Sequence, residues 1–67
     1  MSVARVTEIT AESKLGFDDA IKMAIERAHK TLHYVRSAWI ADQEVTVRDG
    51  KIEDYRVRLK VTFVLKD

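Results

Sequence analysis

The sequence predicts an α+β fold of order β-α-β-β, a three-stranded antiparallel sheet wrapped on one amphipathic helix. Three observations carry this prediction. Residues 3–10, VARVTEIT, are rich in the β-branched side chains that suit a pleated strand. From Gly16 onward the apolar residues recur at spacings of three and four, the period of a helix packed on one side. After Asp49-Gly50, residues 53–66 alternate apolar and polar almost without fault, the period of a strand with one covered face.

In the first strand Val6 stands on one face, and Val3, Thr7 and Ile9 lie on or near the other, so alternation does not decide which face is inside. Glu12-Ser13 follows as a polar break, and Ser13 is the expected helix N-cap, its hydroxyl accepting a backbone N–H of the first turn. The helix is predicted from Gly16 to about Tyr34, with Phe17, Ala20, Ile21, Ala24, Ala28, Leu32 and Val35 as its apolar stripe. Alanine at 20, 24 and 28 keeps that stripe thin, so the helix can lie close to a sheet. Asp18 and Asp19 fall in the first turns and Lys30 and His33 near the end, as the helix dipole favours. Residues 37–47 read as the second strand. Asp49-Gly50 is a hairpin signal, because glycine tolerates the positive φ such turns need. In the third strand Tyr55, Val57, Leu59, Val61, Phe63 and Leu65 point one way, and Arg56, Arg58, Lys60, Thr62, Val64 and Lys66 the other.

At 67 residues the chain reads as a single domain, 1–67, small enough to be marginal alone. It has no cysteine, which excludes disulfides and thiolate zinc sites and leaves oligomerisation as the staple. Twelve Lys and Arg against eleven Asp and Glu give a net charge of +1, which offers no support for nucleic-acid or membrane-surface binding. No apolar run approaches the ~20 residues of a membrane span. The first ten residues lack a signal-peptide pattern, so cytoplasmic residence is expected.

One helix covers one face of a sheet, so the second face is left bare. That face carries Arg56, Arg58 and Lys60 and, if the second strand alternates without interruption, Ser37, Trp39, Ala41, Gln43, Val45 and Val47. A mixed apolar and cationic face fits an interface or a ligand site.

The helical segment GFDDAIKMAIERAHKTL, a strand carrying Asp42-Gln43, a turn and the segment YRVRLKVTFVL follow one another in an order that resembles the dodecins. The resemblance covers nearly the whole chain, and its most specific parts are Ala20 to Leu32 and the C-terminal strand. It implies a hollow homododecamer that binds a flavin such as FMN or riboflavin for storage or sequestration. Flavin-binding dodecins place a stacking tryptophan where this chain has Ser37 and a ring-edge glutamine where it has Arg56. The Gly-Thr-Ser turn before their helix reads Ala11-Glu12-Ser13 here. Tyr55-Arg56 and the missing tryptophan are similar to a subgroup described as calcium-binding, which makes calcium the alternative cofactor and a flavin-free, structural or calcium-linked assembly the alternative function.

Pattern and resemblance together mark Ser37, Trp39, Asp42, Gln43, Arg56 and Arg58 as the ligand-binding set. Trp39, on the same face as Ser37, reads either as a displaced stacking platform for a flat heteroaromatic ligand or as a packing residue between subunits. Arg56 reads either as a hydrogen-bond donor to a ligand carbonyl or phosphate or as the partner of a carboxylate on a neighbouring subunit. Arg58 and Lys60 line an interior or solvated wall. His29 and His33 have the four-residue spacing of a helical metal pair, with no third ligand in a motif, and read as a solvated face. Asp42 and Glu44 are expected on opposite faces of their strand, hence no carboxylate pair. A calcium ion takes about 6–8 oxygen ligands, which no single loop here supplies, so such a site would be shared across a symmetry axis. There is no Ser-His-Asp set, phosphate loop or dinucleotide fingerprint, and the protein is expected not to be an enzyme. A third reading is an interaction module whose bare sheet face binds another protein.

Overall fold

The computed structural model describes residues 3–65. The elements run β1 (Val3–Ser13), α1 (Phe17–Thr31), β2 (Val35–Arg48) and β3 (Lys51–Leu65), in the predicted order. The sheet is antiparallel with strand order β1-β3-β2, so the alternating C-terminal strand is central and both of its neighbours are edges.

β1 continues three residues past its predicted end. Glu12 and Ser13 stand opposite Arg56 and Tyr55, and these cross-strand partners carry the strand through the polar pair that reads as a break. The helix is shorter than its apolar stripe suggests. Leu32 still donates to the Ala28 carbonyl at 2.8 Å, but its own backbone is extended, with φ −105° and ψ 129°. The stripe runs on because Leu32 and Val35 pack on the same core from beyond the helix, Val35 as the first residue of β2 opposite Phe63. Tyr34, at φ 59°, makes the reversal into that strand, and its carbonyl accepts the Val64 N–H at 3.1 Å. At the hairpin Asp49 and Gly50 have φ 52° and 76°, the left-handed pair of a two-residue turn whose twist matches the flanking strands.

Ala20 and Ala24 are buried on Val57, Leu59 and Val61 of β3, and Ile9, Ala11, Phe17, Ile21 and Ile25 close the core around them, while Ala28 is buried one turn farther along the helix. Phe17 meets Tyr55 edge-on, ring centroids 5.1 Å apart. On β1, Thr7, Ile9, Ala11 and Ser13 turn toward the helix, and Val6 turns away. The helix lies on β1 and β3 and barely reaches β2. A 15-residue helix spans about 22 Å, whereas strands of 14 and 15 residues run to about 48 Å, so the hairpin overhangs it. The overall extents of 51 × 19 × 13 Å record that overhang.

Two expectations are corrected here. Ser13 is not the N-cap. That position is Gly16, which offers no side chain, and Ser13 instead ends β1, where its Oγ accepts the Leu15 N–H at 2.9 Å and donates to Asp19 Oδ2 at 2.6 Å. The hydroxyl thus ties the strand to the first helical turn from the side. His33 lies beyond the helix, beside the Tyr34 ring, so His29 and His33 do not share a helical face. Lys66 lies outside the described residues.

Candidate functional site

The face of the sheet opposite the helix is built from rungs of residues in register across three strands. Val6, Thr62 and Ser37 form one rung, and Glu8, Lys60 and Trp39 the next. Thr10, Arg58 and Asp42 follow, then Glu12, Arg56 and Glu44. The mixed composition of this face is therefore graded, from apolar and hydroxyl-bearing at the Val6 end to charged toward the hairpin.

The second strand does not alternate without interruption. Ala41 is an extra residue between the pairs Ile40–Leu59 and Asp42–Arg58, a β-bulge that shifts the side-chain parity by one. Ser37 and Trp39, before the bulge, lie on the open face as expected. Asp42 and Glu44 follow on that same face; two residues apart in a continuous stretch of strand, they point the same way, which corrects the expectation that they point apart. Gln43 and Val45, expected on the open face, are carried to the helix side opposite Val57 and Tyr55. Five of the six expected ligand-binding residues thus share the open face: Ser37, Trp39, Asp42, Arg56 and Arg58. Gln43 does not join them.

Trp39 is 49% exposed, on an edge strand whose described side chains are nearly all exposed. The Lys60 Nζ stands over its indole, 5.8 Å from the ring centroid, within the range of a cation–π contact. Arg56 is held from both sides by carboxylates of its own chain. Its Nε donates to Glu12 Oε1 at 2.7 Å and its Nη1 to Glu44 Oε1 at 3.0 Å, while Nη2 also contacts Glu12. These hydrogen bonds, Glu12 first and Glu44 second, raise the guanidinium pKa above its ordinary value. Arg58 pairs with Asp42 at 3.4 Å. Farther along, Asp54 receives Lys14 at 3.3 Å and the Thr46 hydroxyl at 3.4 Å.

Sequence reasoning missed Glu12 and Glu44 as the partners of Arg56, because that ion triplet exists only once the three-strand register is known. The alternation of residues 53–66 does place Arg56 and Lys60 on one face, and that is the only part of the signal a single strand carries. Two grooves of about 510 and 520 Å³ flank the helix, one between α1 and β1 and one near Tyr34, and Trp39 lines neither. Among the described residues no cluster of three or more His, Asp or Glu side chains is arranged to hold a metal ion, and no helix is long and apolar enough to cross a membrane.

Residues 3–66 match the family model described as Dodecin. The chain belongs to the dodecin family. The dodecin from Streptomyces davaonensis superposes with a TM-score of 0.93 at 35% identity, covering 98% of this chain and 97% of that one. Calcium dodecin from Mycobacterium tuberculosis is 29% identical over 66 residues, 98% of this chain and 93% of that protein. Its crystal structure, described as that of a calcium-chelating antigen with a novel calcium-binding site, superposes with a TM-score of 0.84 at 32% identity, covering 97% and 93% of the two chains. The β-α-β-β order is thus the dodecin fold.

Proposed function

We propose that this dodecin is a non-enzymatic binding protein that acts as a homododecamer and sequesters or stores a small flat heteroaromatic ligand, a flavin first. The observation that carries the reading is Trp39, half exposed on the sheet face opposite the helix, which none of the described residues covers. A stacked ring gains about 0.5–1.5 kcal/mol from aromatic geometry beyond the area it buries. Ser37 and Thr62, one rung away, add hydroxyls that can orient such a ring. The ring-edge position does not fit a flavin as well, since Arg56 is already engaged by Glu12 and Glu44. Trp39 and Ser37 are therefore the residues to hold the ring, with Lys60 beside it. Held in this way, a flavin would be shielded from the light and redox chemistry of its free form.

Self-assembly is supported by the apolar surface left over. β2 is a bare edge strand, and Val47 and Ile52, opposite each other on the overhanging hairpin, are 61% and 52% exposed. Long uncovered edges invite pairing with another copy. A ring on Trp39 would then be enclosed by a second chain.

The test is optical. Addition of the protein to riboflavin should quench flavin fluorescence, and Trp39→Ala should abolish the quenching while the assembly mass stays unchanged. Unquenched flavin in the presence of wild-type protein would overturn the proposal. The name of the M. tuberculosis relative supports a second reading, a calcium-linked assembly without flavin. Any such site would draw its oxygen ligands from more than one copy, and a melting temperature that rises with calcium and falls with chelator would favour it.

A further inference from the structure

We propose that the open face selects its ligand by charge, with Glu12 and Glu44 withholding Arg56 from phosphate, so that the site takes an uncharged flat ring in preference to the phosphate monoester of the same ring. The inference rests on the reading above, that a ring stacks on Trp39.

A phosphate monoester carries close to two negative charges at neutral pH and is gripped best by an arginine offering two parallel N–H groups. The two arginines of the open face nearest the Trp39 rung, Arg58 and Arg56, are each paired with carboxylates of the face, Arg56 through three of its nitrogens. Arg56 gives Nε and Nη2 to Glu12 and Nη1 to Glu44, and Arg58 gives Nη1 to Asp42. A phosphate reaching for Arg56 would break charge-assisted bonds and meet two carboxylates at the same point. The rungs from Glu8 to Asp54 carry five carboxylates (Glu8, Glu12, Asp42, Glu44 and Asp54) against three cations (Arg56, Arg58 and Lys60). Lys14, which reaches Asp54 from the turn after β1, is the fourth cation of this stretch, and the Arg48–Lys51 rung beyond it lies at the hairpin end, away from Trp39. Lys60 is the cation that stands over Trp39. It is a single point charge with Glu8 opposite it in register, and it already lies over the indole. A neutral ring meets none of these penalties.

Riboflavin and FMN differ only in the phosphate, which makes them the direct probes. Fluorescence titration of wild-type protein at low ionic strength should give riboflavin the tighter binding by on the order of tenfold. That gap should close toward unity at about 0.5 M salt, where screening reaches only a few ångström. In the double variant Glu12→Gln, Glu44→Gln, FMN should reach or exceed the affinity of riboflavin, with riboflavin itself unchanged. If circular dichroism shows that the double variant does not fold, Glu44→Gln alone should still narrow the gap, since Glu44 is an exposed edge-strand residue. FMN binding as tightly as riboflavin to wild-type protein at low salt would overturn the inference and leave the flavin reading standing. A gap that persists in a folded variant would overturn the role of Glu12 and Glu44. Binding of neither flavin would overturn the stacking reading and this inference together.

Discussion

Lys60 stands directly opposite Trp39 in the β2–β3 ladder, its ammonium 5.8 Å from the centroid of the indole ring. The chain has a single tryptophan, so its fluorescence reports the surroundings of Trp39, this contact among them. Lys60→Met removes the cation and keeps the length of the side chain. The tryptophan emission of the free protein should change in intensity while the fold stays intact by circular dichroism, because an exposed cation–π pair contributes only about 0.5–1 kcal/mol. An unchanged spectrum would show that the ammonium does not rest on the ring in solution.

Arg56 joins all three strands through Glu12 and Glu44. Arg56→Gln should lower the melting temperature, and the loss should shrink in high salt because the triplet is exposed. The pH dependence has a definite sign. A cation whose folded pKa is raised contributes stability that is fully present below its unfolded pKa and is lost as pH rises through the folded one. For arginine that loss falls only in strongly alkaline solution. The difference in melting temperature between wild type and variant attributable to the arginine's own titration should therefore be flat from neutral to moderately alkaline pH.

Leu59 is fully buried under Ala20 and Ala24 at the centre of a thin core. Leu59→Ala should cost about 2–5 kcal/mol, a large share of the stability of a domain this small. Chemical denaturation of the assembly would measure it, and a cost under about 1 kcal/mol would mean that the site collapses to fill the gap.

The Ser13 hydroxyl is the buried polar group that locks β1 to α1. Ser13→Ala leaves the Leu15 N–H and the Asp19 carboxylate without it and should cost about 1–3 kcal/mol. Hydrogen exchange at the start of α1 should accelerate more than exchange in the β2–β3 hairpin. Equal acceleration throughout would assign the hydroxyl a global rather than a local role.

The fold was legible because two signals are local. The alternation from Tyr55 to Leu65 needs only one strand, and the spacing from Phe17 to Ala28 needs only one helix. Asp49-Gly50 joined them by turn chemistry alone. What was not legible depended on register. Val35 reads as helical because its spacing fits, yet it packs on the core from a strand. The bulge at Ala41 has no mark in the sequence, and it decides that Gln43 leaves the open face while Asp42 and Glu44 share it. Arg56 could be placed on its face from β3 alone, but its carboxylates come from two other strands.

Native mass spectrometry of the purified protein, with an absorption spectrum of the same sample after incubation with riboflavin, tests the central claim most directly. The account predicts a species of about twelve times the 7.7 kDa chain mass that retains flavin absorbance after desalting. A 7.7 kDa monomer, or a twelvefold assembly that releases all its flavin, would contradict it.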